Sequence, residues 1–338
     1  MAEKHFVVIG DGPAGNQAAR TIRENTPGDR VTLVSKGREG CYAPHRLPDL
    51  IAGKIGEDSL QVCTIDSYKA LGIKLRCCQA VEYLDPAGKE LLLEHKEVIP
   101  FDGLVIAVGG RPRIPERLSA YRDLMFTLKT LEDARVWKDR LQEADSVLMI
   151  GGDLTSLTMT RALLQLNKKV YLMLDEEAFW PLRCDKGLLA KVAHTLALKG
   201  VEVLIFRQIR SLARLPDGSC EVKMDEGTLK VDMVGAFFGL VPDVRFLARS
   251  GLTIDRGVLV DEYLNTGFGE IYATGDCAQI YHPGLKDYWV SIGYDNARLL
   301  GHIAGINLAS GGMKVSTRPE SVFDVKGIKV NTSWWMDF

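Results

Sequence analysis

Two six-residue stretches share the spacing of a phosphate-binding turn, and only one has its full chemistry. In GDGPAG, Gly10, Gly12 and Gly15 satisfy G-x-G-x-x-G, after the apolar run FVVIG and before the helix-forming NQAARTIREN. At that spacing the first glycine permits the tight turn, the second lets a pyrophosphate approach the backbone, and the third lets helix and strand pack closely. The anion then sits at a helix N-terminus, among free N–H groups and the positive end of the helix dipole. Gly10, Gly12, Pro13, Ala14 and Gly15 are therefore candidate cofactor-binding residues. The run RVTLV follows PGD and completes a βαβ unit. An acid that reads ribose hydroxyls is expected at the end of this second strand. The chain has Ser35 and Lys36 there, and Lys36 joins the candidates. Glu39, just beyond, is either the substitute acid or a solvated loop charge.

The second stretch is GGDLTS, after SVLMI and before RALLQLNKK. The frame places Gly151 first, Asp153 second and Ser156 third. Two like charges about 4 Å apart repel by about 4 kcal/mol at an effective dielectric of 20, roughly a thousandfold in affinity. The other role open to Asp153 is to cap the helix, satisfying N–H groups that a phosphate would otherwise take. Both roles oppose an ordinary dinucleotide.

The elements around these turns repeat. FDGLVIAVGGRPRIP reads as a buried strand, a glycine turn and a crossover out of a first domain. KKVYLML, the amphipathic LAKVAHTLALKG and VEVLIF then continue a second strand–helix alternation. The segment EIYATGDCAQI brings Asp276 toward a helix expected over residues 291–307. The fold class is α/β with two Rossmann-like domains, the first discontinuous. The boundaries expected are 1–112 and 237–312 for the first domain, 113–236 for the inserted one, and 313–338 for a tail.

At 338 residues, 25% charged and with a net charge of −2, the chain has no electrostatic footprint for nucleic acid. No apolar run reaches the length of a membrane span. The start MAEKHFVVIG enters a strand at once, which leads us to expect no signal peptide and a cytoplasmic address. Seven dispersed cysteines without C-x-x-C spacing argue for a reduced compartment and against a metal site.

The ordered motifs VVIGDGPAG, LVIAVGGRPR, VLMIGGD, GLVPD, RGVLVDEYLNT and IYATGDCA resemble the two-dinucleotide flavoproteins of the pyridine nucleotide–disulfide oxidoreductase superfamily. YAPHRLPDLIAG is similar to the NADH:rubredoxin reductase and nitrite reductase branch. The resemblance covers roughly residues 4–312. It implies FAD on the first turn, with Asp276 holding the ribitol and pyrophosphate region. Ala107, Val108 and Gly109 stand at the A-T-G motif, its threonine changed to valine. Val81 stands where a backbone group pairs with adenine, and Arg46 is the candidate near the flavin. The second frame would take NAD(P)H. It departs at Asp153, at Ser156, at Thr158 where relatives have a glutamate, and at Leu174 where an acid is common, with Asp175 adjacent. Such relatives also continue into an interface domain, which makes the tail with Trp334, Trp335 and Phe338 a candidate docking segment.

Four functions compete. The leading expectation is a FAD oxidoreductase passing electrons within a complex whose partner carries further redox centres, with NAD(P)H binding weakened or lost. The alternatives are an NAD(P)H-dependent reductase of a small redox protein, a thiol, disulfide or peroxide reductase using Cys41, and a non-catalytic FAD-binding subunit.

Overall fold

The structure is a computed structural model that describes residues 2–174, 186–283, 286–291, 293–315, 322–325 and 328–331. Asp175, Cys184, Trp334, Trp335 and Phe338 lie outside the described residues. The strand His5–Ile9, buried along its whole length, pairs in parallel with Arg30–Val34 on one side and Gly103–Ile106 on the other. Ile73–Arg76 and Ile271–Ala273 complete a five-stranded parallel sheet. Continuous apolar strands of this kind belong to a sheet covered on both faces. Two helices meet on this sheet, Pro13–Asn25 and Tyr294–Ala309. Their backbones approach so closely that a Cβ at Gly301 would stand 2.1 Å from the carbonyl oxygen of Ala14. The later helix starts at Tyr294, three residues beyond the expected Ser291. Gly293, at φ +102°, turns the chain immediately before it.

A second parallel sheet has the order Glu202–Ile205, Lys169–Leu174, Ser146–Gly151, Met233–Ala236. Two short antiparallel strands, Gly110–Pro112 and Leu240–Pro242, carry the chain between the sheets and pair with each other. Residues 114–145 form a 3₁₀ helix at Glu116–Leu124 and an α-helix at Leu131–Arg140. The α-helix starts at a capping box in which Thr130 and Asp133 satisfy each other's backbone N–H groups.

The two halves share apolar packing. Leu47, Leu50 and Ile51 of the short helix Leu47–Ile51, together with Leu60, are buried among Leu128, Leu131 and Leu157 of the second half. Each such side chain contributes about 1.5–3 kcal/mol by leaving water. The helix therefore holds the second sheet against the first and fixes the cleft between them.

Candidate cofactor cleft

The first turn is built by collision avoidance. Gly10 has φ +99°, and a Cβ there would lie 2.3 Å from the carbonyl oxygen of Ala107. A Cβ at Gly15 would lie 1.8 Å from the carbonyl oxygen of Gly10, so the third glycine brings helix onto strand. Gly12 differs from both. A Cβ there would meet nothing within 4 Å, because the position faces open space at the helix N-cap, and no side chain caps that helix. The N–H groups at this end remain available to an anion.

That open space is a cavity of about 1450 Å³ between the two sheets, above the range of about 300–1,000 Å³ usual for small-ligand sites. Gly10, Gly12, Pro13, Ala14, Lys36, Val81, Ala107, Val108, Gly109 and Asp276 all line it. Gly15 stands behind the wall, in contact with the Gly10 backbone. Arg46 is not among the lining residues, and its Nη1 donates to the carbonyl of Ser59 at 2.9 Å. Its neighbours Pro44, His45 and Pro48 face the cavity instead. Cys41 does not line the cavity either. Its thiol is buried, and burial pushes it up to about 12, so it lacks the thiolate character of a redox nucleophile at neutral pH.

The polar atoms of the lining fit a large polar ligand. Asp11 Oδ2, Gln79 Oε1, Thr274 Oγ1 and Ser291 Oγ are buried without a hydrogen-bond partner, and all four residues line the cavity. Buried polar atoms are almost always paired, so four orphans around one cleft mark where a ligand supplies partners. Asp276 lies 3.6 Å from Lys129 Nζ. His45 stacks on Tyr294 with ring centroids 4.3 Å apart, and burial holds its imidazole below its ordinary pKa. Asp11, His45, Gln79 and Ser291 were not among the candidates from the sequence: Asp11 and His45 occupy variable places within the quoted motifs, and Gln79 and Ser291 belong to no spaced motif. Glu39 reaches the cavity but pairs with Arg135 at 2.9 Å, across the two halves.

The second turn reaches the same cavity through Asp153, Leu154, Thr155 and Thr158. Gly151, at φ +112°, repeats the part of Gly10, since a Cβ there would stand 2.3 Å from the carbonyl oxygen of Phe237. Asp153 then caps the helix Leu154–Gln165. Its Oδ1 accepts from Ser156 N at 2.9 Å and its Oδ2 from Gly239 N at 3.0 Å. Ser156 is fully buried and donates its hydroxyl to the Asp153 carbonyl at 2.6 Å. Burial raises the Asp153 carboxyl above its usual range, against these hydrogen bonds. Leu174 is buried at the end of its strand. Among the described residues no helix is long and apolar enough to cross a membrane.

The chain is similar to known proteins. The chain is 29% identical over 304 residues to putidaredoxin reductase of Pseudomonas putida, covering 86% of this chain and 70% of that protein. It is 28% identical over 326 residues to the nitric oxide reductase FlRd-NAD(+) reductase of Salmonella gallinarum, covering 95% and 85%. A crystal structure of a covalent putidaredoxin reductase–putidaredoxin complex has the same fold, with a TM-score of 0.89, 24% identity and coverage of 98% of this chain and 81% of that one. Residues 4–299 match the pyridine nucleotide-disulphide oxidoreductase family. The chain is thus an FAD-dependent oxidoreductase belonging to the pyridine nucleotide-disulphide oxidoreductase family.

Proposed function

We propose that this enzyme carries FAD on its first turn and exchanges electrons with a protein partner, its second turn having weakened affinity for NAD(P)H. FAD, when bound, supplies the electron-transfer chemistry, and the chain supplies binding, orientation and exclusion of water. Gly12 leaves room for the pyrophosphate, and the free N–H groups of the helix Pro13–Asn25 meet it. Asp276 and Lys129, which face each other in the cleft, would hold the polar chain of the cofactor.

One observation carries the reading for the second turn: Asp153 already occupies Ser156 N and Gly239 N. A dinucleotide phosphate in its ordinary pose needs such donors and would meet a carboxylate instead. A second reading keeps NADH as donor to a small redox protein, favoured by the relatives whose names describe them as a putidaredoxin reductase and an NAD(+) reductase.

Purification at low ionic strength from native cells tests the partner. Co-elution with a protein bearing an iron–sulfur, flavin or rubredoxin-type absorption band, which the isolated flavoprotein reduces or oxidises, is the expected result. A lone protein that turns over NADH with a small acceptor would support the second reading.

A further inference from the structure

The end of the strand Arg30–Val34 lacks the acid that reads a ribose in dinucleotide folds. Of the nearby charged side chains, Lys36 can only donate, and Glu39 is tied to the second half. Lys36 Nζ binds Asp243 at 3.0 Å, and Glu39 binds Arg135. The first turn itself delivers a carboxylate to that place. A Cβ built on Gly37 would stand 3.6 Å from Asp11 Oδ1 and 3.7 Å from Oδ2. The backbone of Gln79 donates to the Ser35 carbonyl at 2.8 Å, which brings a second polar side chain to the same strand end. Asp11 Oδ2 and Gln79 Oε1 are two buried acceptors without a donor. Both residues line the cavity beside Ser35, Lys36, Gly37 and Val81.

Two adjacent hydroxyl groups on one ligand would satisfy both. We propose that Asp11 and Gln79 form the subsite for the vicinal hydroxyls of the adenosine ribose of FAD, replacing the missing acid at the strand end. The proposal rests on FAD being bound at the first turn. Burial also holds the Asp11 carboxyl above its usual range, against a hydrogen bond with the Ser35 side chain.

The test compares apoprotein binding of FAD with that of FAD lacking the 2′-hydroxyl on adenosine, read by quenching of flavin fluorescence. Wild type should favour FAD by at least about tenfold, the worth of a hydrogen bond to a charged group. Asp11→Ala should weaken FAD by a similar factor, leave the deoxy analogue nearly unchanged, and so erase the preference. Gln79→Ala should do the same to a smaller degree, and it decides the matter if Asp11→Ala fails to fold. Equal binding of the two ligands by wild type, or equal weakening of both in either variant, would overturn the subsite. Failure of wild type to bind FAD at all would overturn the cofactor reading instead.

Discussion

The two glycine turns of this chain share their first glycine and differ at the second and third, where Gly12 and Gly15 are answered by Asp153 and Ser156. Gly12 leaves its helix uncapped and open to the cleft. Asp153, at the same place in the second turn, caps its helix and also reaches Gly239 across the crossover. Their first glycines are interchangeable in role, each pressed against a carbonyl 2.3 Å from where a Cβ would be. The frame is thus a backbone device that keeps its shape with either residue at the second place. What decides anion binding is whether the N–H groups at the helix start are free. In the second turn the Asp153 carboxylate serves Ser156 N and Gly239 N, and the turn keeps its shape.

The largest expected effect comes from making the first turn like the second. Gly12→Asp should lower FAD affinity by about a thousandfold or more, by the same like-charge estimate, and yield colourless protein. A yellow Gly12→Asp protein with near-stoichiometric FAD would break the comparison. The reverse exchange is next. Asp153→Gly with Ser156→Gly should improve NADH affinity by at least about tenfold, while glycine in place of the cap costs only a few tenths of a kcal/mol in stability. Flavin reduction titrated with NADH measures the first, and thermal melting measures the second.

Protonation sharpens the same contrast. The folded Asp153 carboxyl lies above its unfolded value, so the folded state binds the extra proton. Its contribution to stability is fully present below the unfolded carboxylate range and is lost as pH rises through the folded value. Asp153→Asn should flatten this part of the stability–pH curve, and NADH affinity in wild type should rise as pH falls through the same window. An unchanged pH profile in Asp153→Asn contradicts the assignment.

Smaller effects test the frame around the turns. Arg135 joins Glu39 and Glu57 of the first half to the helix Leu131–Arg140 of the second, with Glu132 also in reach. These groups are partly exposed, so Arg135→Ala should cost no more than about 1 kcal/mol, read by denaturant unfolding. Cys41→Ala should leave electron transfer to a dye within about twofold, since the thiol is buried and held at about 12. Alkylation of the folded protein should modify the exposed Cys78 well before Cys41. Loss of activity in Cys41→Ala without loss of FAD would restore the cysteine reading.

Much of this architecture was legible because its signals are local. An apolar run, a glycine turn and a helix occupy consecutive residues, and both parallel sheets follow from repeating that unit. The short helix Leu47–Ile51 was not legible as a link between the halves, because five residues carry no period and its partners lie some eighty residues on and beyond. The 3₁₀ segment Glu116–Leu124 lies in a stretch without a sustained apolar face, which leaves no helical period to read. In the cleft, spaced motifs brought Gly10, Gly12 and Asp276 to one wall. Arg46 was chosen from a run whose residues on both sides turn inward, Pro44, His45, Leu47 and Pro48 facing the cavity instead. Asp11 was hidden in the variable second place of the glycine motif, where only the fold shows which strand end it meets. Contacts such as Arg135 with Glu39, 96 positions apart, leave no local pattern to read.

The most direct measurement is anaerobic mixing of the FAD-loaded protein with NADH, and separately with NADPH, followed at the flavin absorption maximum. The account predicts slow or negligible bleaching at concentrations near those found in cells, and much faster bleaching by NADH in the variant carrying Asp153→Gly and Ser156→Gly. Rapid, saturable bleaching of the wild type by micromolar NADH or NADPH, unaltered in that variant, would contradict it.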